Sequence, residues 1–278
     1  MHLIADSGST KTNWCLIEGK TVIQEIFTVG INPFYQDEVA ISTEIERGLL
    51  PRIENYKISA ITFYGAGCSF PEKKALVGNA LGKHFADTTI EVQSDLLGAA
   101  RSLFGNKEGI ACILGTGSNS CYYDGKNIIE NVSPLGFILG DEGSGAVLSK
   151  TLVADCLKKQ LPEHLCQQFF TKFGLTPAII LENVYKKPFP NRFLAQFTPF
   201  ISEKIQEPAI QAIVYNGFSS FFQRNISCYP KGKEIGFVGS VAHHLSEVLQ
   251  QVASDKNYKI AAIVQNPMNG LVLYHSQH

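Results

Sequence analysis

Twice along this chain an apolar run breaks at a small polar turn and resumes at once. In "MHLIADSGSTKTNWCLIEG", Leu3, Ile4 and Ala5 lead to Asp6, the turn Ser7–Thr12 follows, and Trp14, Cys15, Leu16 and Ile17 restore the apolar pattern. In "GIACILGTGSNSCYYDGKNIIENV" a turn at Gly115–Ser118 joins two strands, and an Asp-Gly turn leads to a third. A strand that stops, reverses over glycine and hydroxyl residues and runs back is a β-hairpin. Two such hairpins, roughly a hundred residues apart, point to an internal duplication and so to two α/β domains.

The rest of the pattern agrees. "KTVIQEIFTVG" adds a strand to the first hairpin, and Val39, Ile41, Ile45, Leu49 and Ile53 then recur at mostly helical spacing. "ISAITFYGAGC" reads as a strand, "FPEKKALVGNALGKHF" as a helix with Pro71 near its first turn, "TTIEVQSD" as a strand and "LLGAARSLFG" as a helix beginning just after Asp95. Residues 144 to 228 are mostly helical, and two strand–helix units, "KEIGFVGSVAHHLSEVLQQVAS" and "YKIAAIVQNPMNGLVLYH", close the chain. The boundary between domains is expected near Gly105–Gly109.

Composition removes several classes of function. The 278 residues are 45% hydrophobic and 18% charged, enough apolar material for sizeable cores. Net charge is -1 and the basic residues are scattered, so no nucleic-acid face is expected. There is no basic-then-apolar leader and no apolar run of bilayer length, so neither secretion nor a membrane partner is expected. The seven cysteines are odd in number, form no CxxC pair and lie partly in apolar runs, which suits reduced thiols in the cytoplasm.

Glycine lets backbone N–H groups approach an anion, and hydroxyls add donors. The turns at Ser7–Thr12 and Gly115–Ser118 are therefore candidate phosphate sites, although glycine hairpin turns also arise for geometric reasons alone. Lys11 would serve either as a phosphate partner or as a solvated charge. Asp6 closes an apolar strand and needs a partner: Mg²⁺, held directly or through water, or its own turn. Neither GxxxxGK[ST] nor a GxGxxG opening a βαβ unit is present. Asp95 suits a general base, and equally an N-cap. His243 and His244 have no metal-ligand spacing around them and read as capping or solvent-exposed residues.

Together these segments resemble a known family. "DSGSTKT" and "LGTGSNS" are similar to the two phosphate motifs of the actin-like ATPase and sugar kinase superfamily, and "GFVGSVA" to its adenosine motif. "GFILGDEGSG" resembles the sugar-site segment of N-acetylglucosamine kinases and the related BadF/BadG/BcrA/BcrD-type ATPases. The order and spacing of the four match, over nearly the whole chain.

The resemblance implies an α/β protein of two ribonuclease-H-like domains flanking an interdomain cleft. The first would span 1–107, completed by the C-terminal helix 267–278, and the second 108–266, with a helical insertion. It implies ATP as co-substrate and Mg²⁺ positioned by Asp6. Gly8, Ser9, Thr10, Lys11, Gly115, Thr116 and Gly117 would meet phosphates, and Gly239 and Ser240 the adenosine. Asp95 would be the catalytic base, and Asn32, Ser118, Asn119, Gly136 and Asp141 would hold the sugar. Glu142 would bind sugar or brace its loop.

The implied activity is transfer of the γ-phosphate to the 6-hydroxyl of an amino sugar, N-acetylglucosamine or a close relative. The alternative is a BadF-type ATPase driving a partner protein. Family members are often dimers, for which the apolar helical segment after residue 190 could serve. One residue departs from the family pattern: an aromatic stands near the position of Leu135 in the kinases, and a leucine offers the sugar's N-substituent neither a ring edge nor an indole N–H.

Overall fold

The computed structural model describes residues 1–8 and 10–277. The chain divides into two compact units, one of residues 1–107, 124–128 and 266–278, the other of 108–123 and 129–265.

In the first unit β1 (His2–Ser7), β2 (Lys11–Glu18) and β3 (Thr21–Val29) form an antiparallel meander, and β4 (Ala60–Gly65) and β5 (Thr89–Ser94) extend the sheet in parallel from β1, in the order β3-β2-β1-β4-β5. Alternation sorts the side chains of β1 and β2. Leu3, Ala5, Trp14 and Leu16 face one core with Phe63 and the helical residues Ile41, Val77 and Leu81. Ile4, Cys15, Ile17 and Tyr64 face the other, closed by Met268 and Leu271 of the last helix. The fully buried Trp14 donates its indole N–H to Thr28 Oγ1 at 2.9 Å.

The helix expected after β3 is broken. α1 (Glu38–Glu44) passes into a π-helical turn at Ile45–Leu49 and then α2 (Leu50–Ile53), which contains Pro51. Proline has no N–H to donate and disrupts the preceding turn, and the wider turn keeps Ile45 and Leu49 buried. α3 (Pro71–Gly82) follows β4, and α4 (Asp95–Phe104) follows β5.

The second unit repeats the same connectivity. β6 (Gly109–Leu114), β7 (Ser118–Tyr123) and β8 (Ile128–Val132) are followed by β9 (Ile235–Val238) and β10 (Ile260–Val264), in the order β10-β9-β6-β7-β8. β6 is antiparallel to β7 and parallel to β9, as β1 is antiparallel to β2 and parallel to β4. The duplication in the sequence is therefore a duplication of topology.

Helices α5 (Gly136–Leu139) to α11 (Pro208–Arg224) enter between β8 and β9, with α6 (Gly145–Leu157), α7 (Glu163–Phe173), α8 (Pro177–Tyr185), α9 (Pro190–Ala195) and α10 (Thr198–Glu203) between them. Leu194, Phe197, Phe200 and Ile201 are buried in this unit's own core. The apolar residues after 190 are thus used within the unit rather than left for a second copy. α12 (Ser240–His244) and α13 (Ser246–Asp255) join β9 to β10, and α14 (Met268–His275) ends the described chain. Six cysteines are buried and free, and Cys228 is free and exposed. Among the described residues no helix is long and apolar enough to cross a membrane.

Candidate active site

In the first unit Asp6 and Asp95 stand at the carboxyl ends of β1 and β5, with β4 between them. The register aligns Ser7 with Gly65 and Gly65 with Ser94, so the three parallel strands end level. The rim is open because β4 runs out into Gly65, Ala66 and Gly67. A Cβ on Gly65 would lie 2.5 Å from the Phe63 ring and 2.9 Å from Cys68 Sγ.

Burial, with the neighbouring Asp95 carboxylate, raises Asp6 to about 7 against the smaller pull of Lys11. Burial raises Asp95 to about 6, partly offset by backbone N–H groups. Asp95 is not the helix cap. Ser94 takes that role, its hydroxyl accepting from Leu97 N at 3.2 Å. Asp95 is the first helical residue, and its Oδ1 accepts from Leu96 N at 2.9 Å.

The Asp6 carboxylate accepts no hydrogen bond from any described residue. Two half-buried carboxylates near each other suit a hard divalent cation. Among the described residues no group of three or more His, Cys, Asp or Glu could cage a metal.

Within the first hairpin, the Gly8 N–H donates to Lys11 O at 3.0 Å and closes the turn. Thr10 and Lys11 are exposed at its tip. Ser9 lies outside the described residues. Ser7 and Thr12, the other hydroxyls of this turn, face inward. Their oxygens are 2.6 Å apart, and Ser7 Oγ also bonds the backbone of Ile31. That bond fixes the next residue, Asn32, which is buried and whose Oδ1 accepts from Phe34 N at 3.0 Å.

In the second unit the Gly115–Gly117 turn is stitched to the start of α6. Gly145 N donates to Gly115 O at 2.8 Å, and Ala146 N to Thr116 O at 3.1 Å. Asp141 adopts a left-handed backbone, φ 55°, and its Oδ1 accepts from Ser118 N at 3.3 Å. Burial lifts its carboxyl to about 6, opposed by that N–H. A Cβ on Gly117 would lie 3.0 Å from Asp141 Oδ2.

Ser118, Asp141 and the Gly115–Gly117 turn are therefore one cluster. Asn119 sits beside it, its Oδ1 engaged by Ser120 N and Asn131 Nδ2. Gly136 opens α5 with φ 73°, after Leu135, which is exposed and left-handed at φ 59°. The Asp141 N–H donates to Pro134 O at 2.9 Å, which ties this loop to the cluster. Glu142 braces the loop: its carboxylate pairs with Arg224 at 2.8 Å and is approached by Asn225 Nδ2 at 3.5 Å.

Gly239, at φ 128°, follows β9. A Cβ there would fall 2.2 Å from Leu114 O, so only glycine lets this turn lie against the end of β6. The close approach brings Ser240 beside Gly115 and Thr116 at a cavity of ≈ 390 Å³. Gln196, Thr198, Pro199 and His244 also line it. These four are absent from the sequence-based set. Only His244 had a signal: it lies one helical turn beyond Ser240 and so shares its face.

No family model matches the chain, and no curated protein matches it. Among solved structures, the chain superposes on the "Putative N-acetylglucosamine Kinase" of Porphyromonas gingivalis with a TM-score of 0.98 and 48% identity, over 100% of this chain and 99% of that one. A Chromobacterium violaceum protein of the same name gives a TM-score of 0.73 at 17% identity, covering 98% of each chain. Component A of the (R)-2-hydroxyglutaryl-CoA dehydratase of Acidaminococcus fermentans gives 0.51 at 11%, over 99% of this chain and 96% of that one. The last two carry the fold alone. The fold is thus common to kinases and to a dehydratase component, whereas the first match extends to half of the residues over the full length. On that match, and on two five-stranded sheets of the same topology, the chain belongs to the N-acetylglucosamine kinase-like family of the actin-like ATPase superfamily.

Proposed function

We propose that this protein is an ATP-dependent sugar kinase that transfers the γ-phosphate to the 6-hydroxyl of N-acetylglucosamine or a close relative. The observation that carries the reading is the pairing of Asp6 with Asp95 across the end of β4, each raised towards neutrality. Transfer to an alcohol depends on positioning and charge neutralisation, with a base to take the hydroxyl proton.

Asp95 is that base. As the hydroxyl oxygen bonds to the γ-phosphorus and the bond to ADP breaks, the hydroxyl proton passes to Asp95. Asp6, with Asp95 nearby, would hold Mg²⁺, which when bound screens the negative charge of the phosphates. Gly8, Ser9, Thr10, Lys11 and Gly115–Gly117 bind the phosphates, while Gly239 and Ser240 flank the nucleoside. Asn32, Ser118, Asn119, Gly136 and Asp141 orient the sugar. Asparagine and aspartate suit this work because between them they accept and donate to hydroxyls.

The name of the Porphyromonas gingivalis relative supports the substrate. The thiols favour a kinase over an ATPase that shares an iron–sulfur cluster with a second subunit. Six of them are buried, and Cys228 is the one exposed cysteine. A cluster shared by two subunits needs thiolates grouped where the subunits meet. The same free thiols support a reducing compartment, the cytoplasm. The test is ADP release from Mg·ATP against a panel of amino sugars and glucose, with wild type and Asp95→Asn. Release that requires an amino sugar and disappears in the variant is the expected result. Release without sugar that the variant leaves unchanged would instead mark a partner-driving ATPase.

A further inference from the structure

A buried tyrosine of the first unit joins the supports of both carboxylates. Tyr64, on β4, is fully buried and pairs with Asp6 in the parallel register of β1 and β4. Partners in that register share a face of the sheet, so the Tyr64 ring stands on the face that bears Asp6. α4 lies across this ring: a Cβ on Gly98 would fall 2.9 Å from Tyr64 Cγ and Cδ1. Gly98 follows Asp95 by about one helical turn. The missing side chain lets the turn that carries Asp95 sit directly on the ring.

The far end of the ring is held from two helices. The Tyr64 hydroxyl accepts from Arg101 Nη1 of α4 at 2.8 Å and lies 2.9 Å from His275 Nε2 of α14. Burial raises the phenol well above its ordinary range, against the pull of Arg101, so it keeps its proton. A guanidinium can only donate, which directs the phenol proton to His275 Nε2. The Arg101 guanidinium also lies over the Tyr274 ring of α14, 5.0 Å from its centroid, and pairs with Glu91 of β5 at 3.4 Å. α14 and α4 meet at their backbones as well: a Cβ on Gly270 would fall 2.2 Å from Ser102 O.

Asp95 thus opens a helix whose seat is set by hydrogen bonds running from Arg101 through Tyr64 to His275. On the reading of this protein as a sugar kinase, we infer that these three are positioning residues for the transfer: they hold α4 against the sheet so that the Asp95 carboxylate stands beside Asp6. The last helix is then part of the catalytic frame, although none of its residues belongs to the phosphate, nucleoside or sugar sets.

Steady-state kinetics of Tyr64→Phe, His275→Ala and His275→Gln test this. Folded molecules are counted by calorimetric ADP binding, and the hold on α4 is read from amide hydrogen exchange of its peptide. Phenylalanine keeps the ring on Gly98 and removes only the hydroxyl, and His275 is half-buried, so the variants are expected to fold. Glutamine can still accept from the phenol through its amide oxygen, and alanine cannot. A misplacement of about 1 Å can cost about 10²-fold in rate. Tyr64→Phe and His275→Ala are expected to lower kcat per folded molecule by about tenfold or more, with the KM for sugar and for ATP unaltered and with faster exchange in α4. His275→Gln is expected to restore most of the loss. Faster exchange with kcat per folded molecule unchanged would mark a structural contact only and overturn the inference. A fall in kcat with exchange in α4 unchanged, a KM that rises in step with that fall, or a His275→Gln as impaired as His275→Ala would overturn it too, and each leaves the kinase reading standing. Wild-type protein that releases no ADP with any sugar would remove the kinase reading, and this role with it.

Discussion

Ser7 Oγ lies 3.0 Å from both the carbonyl oxygen and the amide nitrogen of Ile31. A hydroxyl in a glycine-rich hairpin is thereby turned away from any phosphate and into the frame, where it holds the segment that presents Asn32. Ser7→Ala leaves the buried Ile31 carbonyl without this donor, at a cost of roughly 1–3 kcal/mol. The expected outcome is a lower urea midpoint, with the KM for sugar rising several-fold and the KM for ATP moving less. Steady-state kinetics and urea unfolding on the same samples check it.

Asp95→Asn should keep the fold, because Ser94 caps α4. Loss of a general base costs about 10²–10⁴-fold in rate. The wild-type enzyme should show the base in its pH profile. Only the carboxylate accepts a proton, and its pKa is raised to about 6. The kcat is therefore expected to fall below about pH 6 and to level off above it. A profile flat down to pH 5 would count against the assignment.

Asp6 gives a prediction about stability. Its folded-state pKa is raised to about 7 from 3.8, so between these values the folded state binds more protons than the unfolded one. Its stabilising contribution is then full below about pH 4 and is lost as pH rises through 7. In Mg²⁺-free buffer, Asp6→Asn is expected to be more stable than wild type at pH 8, by on the order of 1 kcal/mol or more, while losing activity. Denaturant melts of both proteins at pH 5 and pH 8 measure the difference in slope.

Gly239→Ala introduces a methyl 2.2 Å from the Leu114 carbonyl, on a backbone at φ 128°. The strained backbone alone costs about 1–3 kcal/mol, and the overlap adds to it. The turn must move, and Ser240 and His244 move with it. A lowered melting temperature together with weaker ADP binding is the expected pair of results.

The sequence revealed what local pattern controls and missed what distant segments supply. The two hairpins and the strand–helix units following them were readable because strand and helix periods and turn residues are local. Asp6 and Asp95 were readable as candidate site residues because each stands at the end of a strand. Ser94 and Asp95 are adjacent, and which of them caps the helix depends on backbone torsion rather than residue type. The Glu142 brace depends on Arg224, which an entire helical insertion separates from it. Gln196 and Thr198 reach the cavity from that same insertion, so no motif around Gly115 or Ser240 announces them. The π-turn at Ile45–Leu49 was hidden because the apolar spacing reads as helix on either side of it.

The distribution of thiols gives the chain an internal gauge of its own opening. In the native state a thiol reagent should find Cys228 alone, and on complete unfolding all seven. Partial opening can be read from which cysteines react. Cys15 and Cys68 report on the first unit, and Cys112, Cys121, Cys156 and Cys166 on the second. Mass spectrometry of alkylated peptides along a denaturant series would therefore show whether the duplicated halves melt as one body or in sequence, with no residue changed.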